Sequence, residues 1–404
     1  MISRKYSRNT PEGTRDMLFE ECLARRKVAS VLRELFESHG YAEVMTPGLE
    51  YYEMFAGEMA GIPQESLYKM TDGHGRLLVM RPDSTMPIAR LAATRLKDAP
   101  LPLRLYYAQT VYRATPSMSG RSDEIMQSGI ELLGAAGKRA DLEVITMAVD
   151  ALRALEVEDF RIELGHAGFY KALAARLPAD DEVREEIRLL IESKNYAGLG
   201  ALLDTLEDTE AVRALRRLPR LFGGREVFAD AAALCEGDPD TLEPLRYLEG
   251  IYTDLETLGL NGKVSIDLGL VHRTDYYTGV VFRGYVEGAG RTAVSGGRYD
   301  RLLGEFGSPM PATGFGVDND QLAGVLLSHG KGMAQAAPAV AVFGAAGYEM
   351  KALVELRRLT NEGVRCVSST ADTAEEAALQ ARAAGIGRLL LVGETCVEKI
   401  LSAE

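Results

Sequence analysis

Four short stretches put polar and aromatic side chains where a sheet ordinarily buries apolar ones. They are Arg81-Pro-Asp-Ser-Thr85, Val111-Tyr-Arg113 with Gln127 and Glu131, Asp275-Tyr-Tyr-Thr-Gly279, and Gly296-Gly-Arg-Tyr-Asp300. Taken singly, each reads equally well as a strand edge or a hairpin turn. Taken together, their carboxylates, hydroxyls, amide and guanidinium could line one polar cleft on a sheet face, a surface for hydrogen-bonded recognition. Metal chemistry finds no support in the pattern. The four cysteines, Cys22, Cys235, Cys366 and Cys396, form no C-x-x-C pair, and the five histidines show no H-x-x-x-H spacing, so inert thiols and no zinc or disulfide framework are expected.

Residues 18 to 39 carry apolar positions at helical spacing, with Gly40 as the stop. Tyr41 to Pro47 reads as a short strand cut by proline. Further strands are expected at Arg76 to Met80, Leu103 to Tyr112, Ser128 to Leu133, Val264 to Leu268, Val280 to Tyr285 and Arg291 to Ser295. Strands in runs, with helices kept apart from them, indicate an antiparallel sheet of the α+β class. The block from about 172 to 258 is rich in Ala, Leu, Glu and Arg at helical periodicity and reads as a helical insertion. Ser328 to Ala337 reads as a linker, placing one domain at 1–330 and a second at 338–404. Beyond the linker, strand and helix patterns alternate β-α-β-α-β, the mark of a small α/β domain with a mostly parallel sheet.

The bulk numbers bound the function. A chain of 404 residues with 46% hydrophobic and 26% charged residues belongs with globular proteins of two or three domains. It shows no apolar run long enough to span a bilayer and no export signal at its start, so a cytoplasmic location is expected. A net charge of −13 argues against gripping a phosphate backbone as the main task.

The ordered segments resemble the catalytic domain of the class II histidyl-tRNA synthetase family, from Thr10-Pro-Glu-Gly-Thr-Arg-Asp16 to about residue 325. The first helix and Pro47 resemble motif 1, Tyr112-Arg113 through Glu131 motif 2, and Pro311-Ala-Thr-Gly-Phe315 through Leu322 motif 3. Leu270 to Tyr277 and Gly296 to Asp300 resemble signatures of the histidine branch. The resemblance implies a histidine pocket: Asp83, Thr85 and Gln127 for the ammonium, Glu131 and Tyr277 for the imidazole, Tyr299 closing the pocket, Arg113 for a carboxylate or phosphate, and Tyr276 as a further histidine-binding residue. At position 83 the family usually carries glutamate, one methylene longer.

The half that would handle ATP departs from the family pattern. His272 stands where the family places an arginine, with Arg273 displaced by one residue; Gln321 replaces the motif 3 arginine, Ile125 an aromatic residue, and Thr115 an acidic one. Adenylate formation builds charge that cations must stabilise, so the resemblance implies histidine binding without activation and no bound cofactor. From residue 336 onward seven Lys and Arg face nine Asp and Glu, a poor surface for tRNA, and the chain is expected to stop before the closing elements of an anticodon-binding domain.

Thr10 to Asp16, Leu164-Gly-His-Ala-Gly168 and Tyr276-Tyr-Thr-Gly279 resemble the regulatory-subunit branch, the paralogues that serve the short catalytic subunit of ATP phosphoribosyltransferase. That resemblance implies a homodimer within a hetero-octamer, a short catalytic partner, free histidine as ligand, and neither tRNA nor membrane as partner. Two other readings stand beside it: an active divergent synthetase that uses Arg273, and a histidine sensor for another partner.

Overall fold

The computed structural model describes residues 8–57, 61–116, 120–235, 237–271, 277–331 and 337–401. The chain divides into two compact units, with the break between residues 332 and 333.

In the first unit, α1 (Phe19–Ser38) buries Ala24, Val28, Leu32 and Phe36, a four-residue repeat that makes one apolar stripe. Gly40 ends the turn in the left-handed region at φ 79°, and the chain enters β1 (Ala42–Glu43). This strand stops well short of Pro47. Instead of continuing the ladder, the Thr46 and Pro47 carbonyls accept hydrogen bonds from the buried Arg81 guanidinium at 2.6 and 2.8 Å. β2 (Leu49–Tyr51), β3 (Lys69–Thr71) and β4 (Leu77–Met80) form a small antiparallel sheet, with α2 (Glu53–Ala56) beside it and α3 (Thr85–Thr94) following.

The main sheet has nine strands. β5 (Leu103–Tyr112) and β6 (Glu124–Leu133) make a ten-residue hairpin ladder. After α4 (Lys138–Ala154) come β7 (Phe160–His166), six helices and one short strand: α5 (Ala167–Ala175), α6 (Asp181–Glu192), α7 (Tyr196–Leu203), α8 (Glu210–Arg217), β8 (Phe222–Gly223), α9 (Glu226–Leu234) and α10 (Pro239–Thr257). The unit closes with β9 (Val264–Asp267), β10 (Val280–Val286), β11 (Val294–Arg298), β12 (Ala312–Asp318) and α11 (Asn319–Ser328). The order is β1-β5-β6-β12-β11-β10-β7-β9-β8, antiparallel from β5 to β7, with parallel joins at β1/β5 and β7/β9.

Several expectations are corrected. The region around 172–258 is not purely helical, because Phe222 and Gly223 pair with Asp267 and Ile266 to add the edge strand β8. The strand placed at Arg291 to Ser295 lies three residues later, since Gly296 and Gly297 are inside the ladder and not in a turn. A Cβ at Gly297 would come within 2.8 Å of the Tyr277 ring, so glycine here serves close packing. β7 and β12 had no counterpart among the expected strands, although Phe160, Ile162 and Leu164 alternate as a half-buried strand should.

One face of the sheet packs on α1, α4, α5, α10 and α11 around a core that includes Phe36, Tyr106, Ile130, Leu164 and Phe282. The other face meets the small sheet and α3 through Phe55, Val79, Ile88, Leu133, Tyr299 and Leu302. The cleft opens on this second face.

In the second unit, β13 (Val340–Gly344), α12 (Glu349–Asn361), β14 (Cys366–Ser368), α13 (Ala374–Ala383) and β15 (Arg388–Val392) alternate, and the three strands run parallel. A further strand, β16 (Cys396–Ile400), then returns antiparallel on β15. It is an element the sequence reading lacked, and it leaves Cys396 exposed, unlike the buried Cys235. Among the described residues no helix is long and apolar enough to cross a membrane, and no group of three or more His, Cys, Asp or Glu could hold a metal ion.

Candidate functional site

Strand register builds the site. Side chains alternate between faces, so paired residues on neighbouring strands form rows on one face. One row is Leu105, Glu131, Gly314, Gly297 and Val281. The next is Tyr107, Gly129, Gly316, Ser295, Arg283, Glu163 and Ser265. The middle of both rows is nearly bare of side chains. This glycine floor leaves a cavity of about 260 Å³ lined by Asp83, Thr85, Arg113, Gln127, Glu131, Tyr277 and Tyr299, with Tyr107, Ser66 and Ser295. Drug-sized ligands occupy pockets on the order of 300–1,000 Å³, so this one suits a single small metabolite.

Glu131 is the centre of the floor. Its carboxylate accepts hydrogen bonds from Thr85 Oγ1 at 2.7 Å and from the Tyr299 hydroxyl. Burial pushes its pKa up to about 8, an effect the two hydroxyl donors oppose and the nearby Asp83 charge reinforces. Burial also raises Tyr277, with the Asp83 and Glu131 charges adding to it. At neutral pH the free Glu131 carboxyl is therefore largely protonated, and a cationic or N–H donor entering the pocket would favour its ionised, accepting form.

Gln127 is a second such acceptor. Its Oε1 is buried without a hydrogen-bond partner among the described residues, and an unmatched buried acceptor of this kind costs about 1–3 kcal/mol. Asp83 is less available than the sequence implies. One oxygen accepts from the Thr85 and Met86 amides at 2.9 and 3.1 Å, capping α3, and the other lies 3.5 Å from Arg113. Arg113 in turn donates from Nε to the Pro82 carbonyl at 2.6 Å. Both still line the cavity.

The structure thus brings Asp83, Thr85, Arg113, Gln127, Glu131, Tyr277 and Tyr299 together; Tyr276 and His272 lie outside the described residues. Sequence reasoning missed Tyr107, Ser295 and the glycines. The signal for Tyr107 was its parity on β5, which puts it beside Gly129 under the pocket.

The remaining positions sit apart. Thr115 is spent on Asp123, donating from Oγ1 at 2.6 Å and from its amide at 2.9 Å. Ile125 shares the face of Gln127 and Glu131 at the start of β6. Gln321 lines a second, larger groove of about 870 Å³ with Arg15, Arg25, Arg26, Arg121 and Arg291. Acids answer three of these arginines: Glu21 meets Arg15 at 2.8 Å, Asp320 meets Arg25 at 2.8 Å, and Asp318 meets Arg291 at 2.6 Å.

A buried ion pair adjoins Tyr299 in the chain. Arg298 contacts Asp141 at 2.7 Å with both side chains almost fully buried, and the Tyr247 hydroxyl donates to the same carboxylate at 2.7 Å. The neighbouring Tyr299 is held at Glu131 by its own hydroxyl hydrogen bond.

The family model for histidyl-tRNA synthetase matches residues 13–322. An ATP phosphoribosyltransferase regulatory subunit from Clostridium kluyveri is 42% identical over 331 residues, 81% of this chain and 83% of the relative. One of the same name from Clostridium botulinum is 35% identical over 398 residues, 98% of this chain and 94% of the relative. A solved structure described as an ATP phosphoribosyltransferase regulatory subunit/histidyl-tRNA synthetase from Bacillus halodurans superposes with a TM-score of 0.81 at 33% identity, covering 93% of this chain and 97% of that one. A histidyl-tRNA synthetase from Nostoc shares the fold at a TM-score of 0.74 and 20% identity over 97% of each chain. On a pocket carried by the synthetase-like sheet and on relatives that match nearly its whole length, this chain belongs to the histidyl-tRNA synthetase-like family of ATP phosphoribosyltransferase regulatory subunits.

Proposed function

We propose that this chain binds free histidine and uses its occupancy to control a short catalytic subunit of ATP phosphoribosyltransferase in histidine biosynthesis, without catalysing a reaction itself. One observation carries the ligand assignment: two buried acceptors, Glu131 and the unmatched Gln127 Oε1, face a small cavity with a glycine floor. Histidine offers an imidazole N–H to the first and an ammonium to the second. A site that hydrogen-bonds a ligand's polar groups in this way rejects analogues lacking them.

Control requires that histidine bind two states of the complex unequally. The partner carries the ATP chemistry, and the replacements at Thr115, Ile125, His272 and Gln321 support a loss of adenylation in this chain. The assembly we favour is a regulatory homodimer within a cytoplasmic hetero-octamer, with no role for tRNA.

Calorimetric titration tests the ligand. Histidine is expected to bind with a Kd from micromolar to hundreds of micromolar, about 5–8 kcal/mol; heats no larger than dilution would reject the assignment. The family match to histidyl-tRNA synthetase favours one second reading, an active synthetase using Arg273. Histidine-dependent exchange of pyrophosphate into ATP separates the two. We expect none, and exchange that vanished in Arg273→Ala would establish the synthetase.

A further inference from the structure

An amino acid has a carboxylate as well as an ammonium and a side chain, and the lining residues supply its cation poorly. Arg113 is the evident candidate, but its Nε is bonded to the Pro82 carbonyl and its charge already faces Asp83. The sheet offers another. In the row Gly129, Gly316, Ser295, Arg283, the first long side chain beyond the bare floor is Arg283, directly opposite the cavity-lining Ser295. Two strand spacings, about 10 Å, separate its backbone from that of Gly316.

Arg283 is only partly buried and makes no hydrogen bond, and no ion pair within 4 Å, among the described residues. Its charge nevertheless acts on the pocket wall, where it opposes the upward shift of the Tyr277 hydroxyl pKa. On its far side stand Glu163 and Asp267. Burial raises both carboxyls, Asp267 raises Glu163 further, and Lys194 shares the role of counter-charge. Glu163 Oε2 and Ser265 Oγ are buried and have no hydrogen-bond partner among the described residues, so neither has captured the guanidinium.

We propose that Arg283, and not Arg113, receives the α-carboxylate of the bound histidine and sets the preference for the amino acid over analogues that lack this group. The inference rests on the histidine reading of the pocket. The geometry gives the ligand three separate anchors: the imidazole at Glu131, the ammonium at Gln127, and the carboxylate toward β10. A carboxylate met by a guanidinium adds a charge-assisted contact that an alcohol cannot reproduce.

The test is calorimetry of the full chain with histidine and with histidinol, which carries a hydroxymethyl group in place of the carboxylate. Wild type is expected to prefer histidine by about 10- to 100-fold. Arg283→Met is expected to lose that much histidine affinity while histidinol binding changes less than threefold, and Arg113→Met is expected to keep the preference. Arg283→Lys, which retains the charge with a single point of contact, is expected to keep part of it, and it carries the test should the methionine variant not fold. Equal losses for both ligands in the Arg283 variants, an unaltered preference, or a preference lost only in Arg113→Met would overturn the assignment. Wild type that binds histidinol as well as histidine overturns it too, while leaving the pocket in place. Wild type that binds neither removes the pocket reading itself.

Discussion

Replacing Glu131 by glutamine separates the stability of the free protein from its affinity for histidine. The Glu131 carboxyl is buried and its acidity is displaced from the ordinary 4.5 to about 8, which corresponds to about 5 kcal/mol between its two protonation states. A carboxyl raised on folding contributes stability that is fully present below its unfolded value, near 4.5, and is lost as pH rises through about 8. Glutamine does not titrate. Between pH 5.5 and 8.5 the unliganded wild type is therefore expected to lose about 3 kcal/mol relative to Glu131→Gln. Histidine binding is expected to move the other way, because the amide has one acceptor oxygen for three donors: Thr85, Tyr299 and the imidazole. The unmet donor costs about 2 kcal/mol, or roughly 30-fold in Kd. Since the chain has no tryptophan, urea unfolding is followed by far-ultraviolet circular dichroism, with calorimetry for the ligand. Parallel stability curves for the two proteins across that pH window would refute the buried-carboxyl argument.

Other perturbations follow from the same geometry. Gly314→Ala places a methyl group on the Glu131 carboxylate, and histidine binding in calorimetry is expected to fall at least 100-fold, about 3 kcal/mol. Asp141→Ala removes the closest partner of the buried Arg298 guanidinium and leaves it Asp300 at 3.0 Å, and is expected to destabilise the first unit by about 3 kcal/mol in urea unfolding. A chain ending near Gly330 retains the whole pocket and the first compact unit; its histidine titration is expected to match that of the full chain, and a lost signal would give the second unit a part in binding.

Long periodic elements were legible from sequence because their burial is set by local spacing. The stripe of α1, the hairpin β5–β6 and the alternation of the second unit follow from apolar periodicity. Glycine misled the reading, since Gly296 and Gly297 signal a turn locally yet serve here as ladder positions where backbones and the Tyr277 ring approach closely. For the same reason β12, with Gly314 and Gly316, did not read as a strand. The polar segments pointed to a cleft, but their availability is a tertiary property. Nothing local shows that Asp83 caps α3, that Arg113 is tied to Pro82, or that Arg283 stands one strand beyond Ser295. Those relations come from register, which forms only when distant strands pair.

If histidine in this pocket governs a catalytic partner, the rate of that partner must follow the occupancy of the pocket. Phosphoribosyl transfer by a purified short catalytic subunit is to be measured alone, with this chain, and with this chain plus histidine. The chain is expected to raise the rate, and histidine to return it toward that of the isolated subunit, with the histidine response lost in Gly314→Ala. A rate indifferent to the chain, or one inhibited by histidine equally with wild type and Gly314→Ala, would contradict the account.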